Sequence, residues 1–289
     1  MPDFKIRVVT ANSLDFSYVE AGSGPLVLCL HGFPDNALTY RHLLPKLAEA
    51  GFRAVAAYMR GYAPTAIPAD GRYQSAVLGQ DALGLIRGLG ADSAFVIGHD
   101  WGALAAYAAA TLAPERVVKL VTLGSAHSGA SLDRDFDYLR GTWHSYYFQL
   151  PSAEKTLPHD DFKFIVDWWR NASPNWDIPP ELLESVKGTF RQPGVVKAAL
   201  DYYRHAINPD LRDPALEDTE TRLAAGPVTV PTLALHGTHD RPKRLESFQQ
   251  MDGFFSGPLT KVVIPGTGHF LHLEEPEETA RQVLEFLGD

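Results

Sequence analysis

Short apolar runs and amphipathic stretches take turns along most of the chain. Ile6 to Thr10 and Asp15 to Val19 alternate in side-chain character and are separated by the turn residues Asn12 and Ser13, which predicts an opening hairpin. Leu26 to Leu30 is an unbroken apolar run, as a strand buried on both faces requires. In Tyr40 to Ala50 the residues Leu43, Leu44, Leu47 and Ala48 recur at helical spacing, and Gly51 supplies a C-terminal stop. Phe52 to Tyr58 predicts the next strand, and Val77 to Leu89 an amphipathic helix ended by Gly90. Ala94 to Ile97 reads as a buried strand, Ala103 to Leu112 as a helix whose small residues let it lie close on a sheet, and Val117 to Leu123 as a further strand. The pattern resumes with Pro231 to Leu235 and Lys261 to Ile264, and Leu284 to Leu287 closes the chain. Such alternation predicts an α/β fold with a mostly parallel central sheet, helices on both faces, and ligands beyond the carboxyl ends of the strands.

From about Ala126 to Val228 the alternation stops. Trp143, Trp168, Trp169 and Trp176, four of the five tryptophans, fall in this stretch. Helices are predicted around Trp143 to Phe148, Phe162 to Trp169 and Leu200 to His205, with breaks at Pro151, Pro158, Pro174, Pro179, Pro180 and Pro193. The expected organisation is a sheet domain in two parts, residues 1–125 and 229–289, with a helical cap, residues 126–228, inserted between them. Packing accounts for most of the cap aromatics taken singly. The insertion as a whole can exclude water from the strand ends and supply donors there.

With 289 residues, 45% of them hydrophobic and 21% charged, the chain can bury one large α/β core and carry an insertion. A formal net charge of -9 argues against nucleic acid or an anionic membrane surface as partner and leaves a small neutral ligand open. Cys29, the single cysteine, lies inside an apolar run, cannot form an intramolecular disulfide and reads as a strand residue. The N-terminal Met1-Pro2-Asp3-Phe4-Lys5 has no apolar signal region and no window reaches the length of a membrane span, so a soluble cytoplasmic protein is expected. A second copy of the chain, giving a homodimer, is the macromolecular partner left open.

The candidate chemistry sits at predicted strand ends. Gly98-His99-Asp100-Trp101-Gly102 has the G-x-D-x-G spacing of a nucleophile elbow, a strained strand-to-helix turn that exposes one side chain above the sheet. An aspartate there, with a reference pKa of ~3.9, is ionised at neutral pH and needs no base to attack. Attack on a strained or halogen-bearing saturated carbon would give a stable alkyl-enzyme ester, leaving a histidine to activate water. The plainer alternative is that Asp100 is only the N-cap of the next helix. His31-Gly32-Phe33-Pro34 follows the Leu26 to Leu30 run, and its glycine-containing loop can bring the Phe33 N–H beside that of Trp101 to form an oxyanion hole, with His31 holding the loop. His236-x-x-His239-Asp240 has two histidines and an acid but no companion ligands, so no metal is expected; Asp240 at a strand end is the stronger observation. Gly266-Thr267-Gly268-His269 places a histidine in a loop expected to be flexible, beyond the last strand. Taken singly, Asp240 could cap a turn and His269 could be an ordinary loop residue. Together Asp100, Asp240 and His269 run in the order nucleophile, acid, histidine.

With these motifs the chain resembles the α/β-hydrolases of the epoxide hydrolase and haloalkane dehalogenase group. The resemblance covers nearly the whole chain, through His31-Gly32-Phe33-Pro34, Arg60-Gly61-Tyr62, Gly98-His99-Asp100-Trp101-Gly102, Asp240 and Gly268-His269. It implies the α/β-hydrolase fold with an inserted cap. The H-G-F-P and R-G-Y sequences look more like epoxide hydrolases: haloalkane dehalogenases commonly carry asparagine where Phe33 stands, and fluoroacetate dehalogenases carry arginine where Trp101 stands. Epoxide hydrolases use two cap residues, usually tyrosines, to donate to the epoxide oxygen. Tyr202-Tyr203-Arg204 resembles the family's aromatic-Y-R pattern and assigns one role to Tyr203, whereas Tyr147-Phe148-Gln149, matched to Y-F-Q, places His144 at the other. A minority of the family uses such a His/Tyr pair. Fluoroacetate dehalogenases also have a histidine here, followed by a halide-binding tryptophan where this chain has Ser145. For His144 the plainer alternative is an interior polar residue bonded within the cap.

The resemblance thus implies an epoxide hydrolase that converts an epoxide and water to a vicinal diol, with no metal or organic cofactor. Asp100 would attack, Tyr203 and His144 would stabilise the oxygen, and Asp240 would orient His269 to activate water. Phe33 and Trp101 N–H groups would hold the oxyanion. The enzyme alternative is a hydrolytic dehalogenase for a haloalkane or haloacid using the same Asp100. The alternative from another class is a non-catalytic binding protein on the same fold, against which the complete Asp-Asp-His set argues.

Overall fold

The structure, a computed structural model, describes residues 4–130 and 135–288. Met1 to Asp3, part of the segment read for a signal region, lies outside the described residues. Eight strands form one sheet: β1 (Arg7–Ala11), β2 (Leu14–Ala21), β3 (Leu26–Leu30), β4 (Arg53–Ala57), β5 (Ala94–His99), β6 (Val117–Leu123), β7 (Thr232–Gly237) and β8 (Leu259–Ile264). Their order is β1-β2-β4-β3-β5-β6-β7-β8. The β1–β2 hairpin and the β2–β4 pairing are antiparallel, and every pairing from β4 through β3 to β8 is parallel.

Two helical layers cover the sheet because successive strand residues point to opposite faces. In β3, Leu26, Leu28 and Leu30 join one core cluster while Val27 and Cys29 join the other. The first face receives α2 (Ser75–Gly88) and α3 (Trp101–Leu112), through Leu78, Leu85, Ala105 and Ala109. The second receives α1 (Leu43–Glu49) and, at the chain end, Val283 and Leu287. Each such leucine or valine side chain removed from water contributes roughly 1.5–3 kcal/mol. The helix expected over Tyr40 to Ala50 is split into a 3-10 turn, Ala37–Tyr40, and α1. Asn36 starts that turn by accepting the Leu38 N–H at 2.9 Å, a side-chain cap that leucine spacing does not reveal.

Between β6 and β7 the described chain is helical: α4 (Phe136–Tyr147), α5 (Ala153–Thr156), α6 (His159–Ala172), α7 (Pro180–Phe190), α8 (Val195–Ile207) and α9 (Glu217–Ala225). Helix α9 packs on α2 and α3, with Leu223 clustered against Ala76 and Ala108. Hydrogen bonds tie the remaining helices to the loops at the sheet's carboxyl edge. Trp169 Nε1 donates to the Pro34 carbonyl at 3.0 Å, Asn36 Nδ2 to Ser185 Oγ at 3.0 Å, and the Tyr202 hydroxyl to the Arg60 carbonyl at 2.8 Å. Among the described residues no helix is long and apolar enough to cross a membrane.

The Arg60-Gly61-Tyr62 loop after β4 is fixed by a buried, two-pronged ion pair. Arg60 Nε lies 2.5 Å from Asp81 Oδ2 and its Nη2 3.0 Å from Asp81 Oδ1, and Arg60 Nη1 also donates to the Arg72 carbonyl at 2.6 Å. Removing one member of a buried pair leaves the other charge desolvated without compensation. Asp81→Ala should therefore destabilise the fold by ~3 kcal/mol, read as a lowered urea midpoint. A midpoint shift below ~1 kcal/mol would mean that Asp70, 3.4 Å from Arg60, takes over the pairing.

Candidate active site

Strand β5 ends at His99, and α3 begins at Trp101, so Asp100 alone makes the turn. Its backbone is left-handed, with φ 51° and ψ -114°, an unusual state for a side chain with a Cβ. The turn closes because its two glycines lack side chains: a Cβ on Gly98 would run into the Gly102 carbonyl, and one on Gly102 into the Leu30 carbonyl. Asp100 occupies the N-cap position of α3, yet its side chain makes no capping hydrogen bond. It points across to β3, where Oδ1 accepts the Phe33 N–H at 3.0 Å. Gly32 permits this approach, since a Cβ there would come within 2.5 Å of Asp100 Oδ1 and 2.8 Å of the Trp101 nitrogen. His31 steadies the loop: its Nε2 accepts the Met59 N–H at 3.0 Å, and its Nδ1 is 2.9 Å from the Gly32 carbonyl.

The other carboxylate oxygen of Asp100, Oδ2, faces His269 Nε2 at 3.5 Å. His269 Nδ1 lies 2.8 Å from Asp240 Oδ2, which assigns the proton on Nδ1 to that bond. Asp240 Oδ1 accepts the Lys243 N–H at 2.9 Å. The three side chains thus reach one another from the ends of β5, β7 and β8. The loop carrying His269 is pinned, contrary to the flexibility expected of its glycines. His269 N–H donates to the Ala172 carbonyl at 3.1 Å, Phe270 N–H to Ser173 Oγ at 3.0 Å, and Gly268 N–H to both Glu274 oxygens at 2.9 Å. The end of α6 and the half-buried Glu274 carboxylate satisfy the backbone that loop composition would leave free.

Burial opposes charge on Asp100, but His269 and Lys243, whose Nζ is 3.8 Å from Oδ2, outweigh it and hold the carboxylate well below its usual range. Burial likewise opposes an imidazolium at His269, and the carboxylates of Asp240 and Asp100 reverse the balance, raising it to about 9. His236 lies 3.9 Å from Asp240 Oδ2 through Nε2. His239 is exposed, its Nδ1 3.0 Å from the Asn175 amide. Its Nδ1 also lies 3.2 Å from the Gly266 carbonyl.

Tyr203 on α8 and His144 on α4 come together at this edge, their rings 5.5 Å apart and edge-on. Tyr203 packs on Phe33 at 5.3 Å and Trp101 at 5.0 Å. Burial, then the charge of Asp100, push its phenol well above the usual value, so it remains a donor. His144 is buried among Phe148, Trp168 and Tyr203 and makes no side-chain hydrogen bond to a described residue. Burial, then Lys243, pull it down to about 3, so at neutral pH it is an uncharged imidazole with one N–H to give.

Two features of the site carry no signal in the sequence. The indole N–H groups of Trp101 and Trp168 are buried without a hydrogen-bond partner among the described residues. Trp168 lies 5.8 Å from His269 and 5.4 Å from His144 by ring centroids. Lys243 is the second: nothing in its spacing from Asp240 announces that its ammonium turns towards Asp100. Beneath His269, the buried Asp35, His99 and His272 each bring one potential ligand atom within 4.8 Å of the others. Arg41, close enough to Asp35 to influence its charge, makes this an unfavourable place for a cation.

A family model described as the alpha/beta hydrolase fold matches residues 25–276. The chain is 30% identical to "Epoxide hydrolase 3" of Mus musculus over 97% of this chain and 76% of that protein. It is 27% identical to "Fluoroacetate dehalogenase" of Burkholderia sp over 99% and 94%, respectively. The crystal structure of Epoxide Hydrolase A from Mycobacterium thermoresistibile superposes with a TM-score of 0.83 at 29% identity, covering 99% of this chain and 98% of that one. The chain belongs to the alpha/beta hydrolase fold family, in the group whose members include epoxide hydrolases and a dehalogenase.

Proposed function

We propose that the protein hydrolyses an epoxide to a vicinal diol through a covalent ester on Asp100, beneath a cap formed by residues 126–228. The observation that carries this reading is the division of labour between the two oxygens of Asp100. Oδ1 is engaged by the Phe33 N–H, leaving Oδ2 to attack, and His269, backed by Asp240, stands beside it. The epoxide hydrolases among its relatives support an epoxide as substrate.

In the first half-reaction Oδ2 forms a bond to an epoxide carbon and the ring C–O bond breaks. The oxygen takes a proton from Tyr203 while the neutral His144 ring donates a hydrogen bond to it, without which it would leave as a strongly basic alkoxide; a placed general acid contributes ~10² to 10⁴ in rate. Alkylation removes the negative charge of Asp100, one of the two carboxylates that support the His269 imidazolium. His269 then gives up its Nε2 proton, which balances the one lost by Tyr203, and the freed Nε2 accepts one from water. That water adds to the ester carbonyl carbon, and the charge on Oδ1 is held by the N–H groups of Phe33 and Trp101. Collapse breaks the bond between the carbonyl carbon and Oδ2, which takes the proton held by His269, releasing the diol with the original Oδ2 and leaving water oxygen in Asp100.

A dehalogenase reading is kept by one observation, the two unpartnered indole donors of Trp101 and Trp168, which suit a departing halide. His144, neutral at working pH, would add no charge to such a site.

A single turnover of styrene oxide in heavy-oxygen water should put label into the Asp100 peptide, with unlabelled diol in that first turnover; label in the diol alone would mean direct attack by water. His269→Gln should accumulate a mass adduct on Asp100 and turn over at least ~10³-fold more slowly. Halide release from a haloalkane in the absence of any diol formation would transfer the assignment to the dehalogenase reading.

The charge coupling has its own measurement. Asp100→Asn imitates the uncharged ester, so the His269 imidazole, followed by NMR, should titrate below the value of about 9 expected for the wild type, with its proton affinity reduced about tenfold or more. Ester hydrolysis should accordingly speed up as pH rises through the lowered value. An unshifted titration would show that Asp240 alone supports the charge.

For the cap, Tyr203→Phe combined with His144→Ala should slow alkylation by ~10² or more while leaving hydrolysis of a preformed ester less affected, and the single changes should not add. Undiminished alkylation in the double variant would remove both residues from the reaction.

A further inference from the structure

Lys243 is placed where the proposed reaction gives it nothing to do once the ester has formed. Its backbone N–H is fastened to Asp240 Oδ1 at 2.9 Å, so the loop that positions the acid behind His269 also positions this side chain. The ammonium lies 3.8 Å from Asp100 Oδ2, with the side chain about one-third exposed, 37%, at the rim of the site. Among the described residues Asp100 is its only ionic partner within that reach. His144, which feels the charge of Lys243, is uncharged, and the Asp240 carboxylate is engaged by His269 Nδ1 and by the Lys243 backbone N–H. Alkylation cancels the charge of Asp100 and leaves the partly solvated ammonium without that counter-ion, a place that an anion of the bound molecule can fill.

The same loop continues into Arg241 and Arg244, which line an open cavity of about 750 Å³ that reaches Asp240. Arg244 is paired with Asp135 at 3.0 Å, whereas Arg241 has no ionic partner among the described residues. Asp137, Asp240 and Glu246 line the same cavity beside Arg140, Arg241 and Arg244, so it carries charges of both signs, and Lys243 is the cation that faces Asp100.

We infer that Lys243 is a specificity residue for a substrate carboxylate: the preferred substrate is an epoxide carrying a carboxylate on the ring carbon or the carbon next to it. The short distance from Nζ to the attacking oxygen sets that reach, because the acid must meet the ammonium while the epoxide carbon meets Oδ2. As Asp100 loses its charge, the substrate's carboxylate replaces it as the partner of Lys243. This inference rests on the proposed epoxide reaction and identifies its substrate class.

The test compares kcat/KM for glycidate, the oxirane carboxylate, and glycidamide, its neutral analogue, in the wild type, Lys243→Met and Lys243→Arg. The wild type should favour the acid by roughly tenfold or more, a preference that shrinks as ionic strength rises. Lys243→Met should abolish the preference and Lys243→Arg should keep most of it. If Lys243→Met slows both substrates equally and leaves their ratio intact, the lysine serves only Asp100 or the opening ring oxygen, and the inference is overturned. A wild type that opens the amide without favouring the acid also overturns it and leaves the epoxide reaction standing. A wild type that opens neither these two nor styrene oxide refutes the reaction itself, and the inference falls with it.

Discussion

A buried carboxylate that must stay charged is the constraint around which the structure is arranged. Asp100 is almost wholly removed from water, which by itself would favour its protonation. One oxygen is answered by the backbone N–H of Phe33, the other by His269 and Lys243. None of these partners is adjacent in sequence, so the charge of one side chain depends on loops from four strands being correctly spaced. That dependence explains why the left-handed backbone at Asp100 and the close glycine contacts of its turn are sustained: the sheet over-determines them.

The parallel sheet meets this demand through its topology. In a parallel arrangement every strand delivers its following loop to the same edge, so β3, β5, β7 and β8 contribute Phe33, Asp100, Asp240 and His269 side by side. The inserted helices then close the edge by hydrogen bonding to these loops, as Trp169 does to the Pro34 carbonyl and the Ala172 carbonyl does to His269 N–H. The loop bearing His269 is therefore held from the inserted helices as well as from the sheet.

Much of this is legible in the chain because its signals are local. The run Leu26 to Leu30, the small residues of Ala103 to Leu112 and the spacing of Gly98 and Gly102 each constrain their own neighbourhood, and the strands form where their patterns predict. Resemblance was needed to single out Tyr203 and His144 among many cap aromatics, because periodicity cannot distinguish a ring that packs from a ring that donates. What was not legible depends on tertiary direction. Lys243 reads as one more charge in Asp240-Arg241-Pro242-Lys243-Arg244, and Trp168 as one more aromatic on a helix; only the packed structure turns the first towards Asp100 and leaves the indole of the second unpartnered. The glycines around His269 suggested freedom for the same reason, since Ser173 and Glu274, which pin that loop, lie elsewhere in the sequence.

Three imidazoles lie together at this edge: the ring centroid of His99 is 4.7 Å from that of His269 and 4.5 Å from that of His272. Composition alone would make any of them a candidate base, and electrostatics selects one. Burial, then the neighbouring His269 charge, hold His99 down to about 3, and burial with the adjacent His99 keeps His272 well below its usual value. The nearby acid Asp35 cannot rescue them, because burial raises its own carboxyl to about 7 and weakens it as a fixed anion. Among these three only His269 has a carboxylate on either side, at 2.8 Å and 3.5 Å, and so only it is held charged while Asp100 is ionised and, in the proposed reaction, would become a base when that charge is consumed. The two neutral rings beneath it then act as uncharged packing, with His99 Nε2 3.0 Å from the His269 carbonyl fixing the loop without competing for the proton.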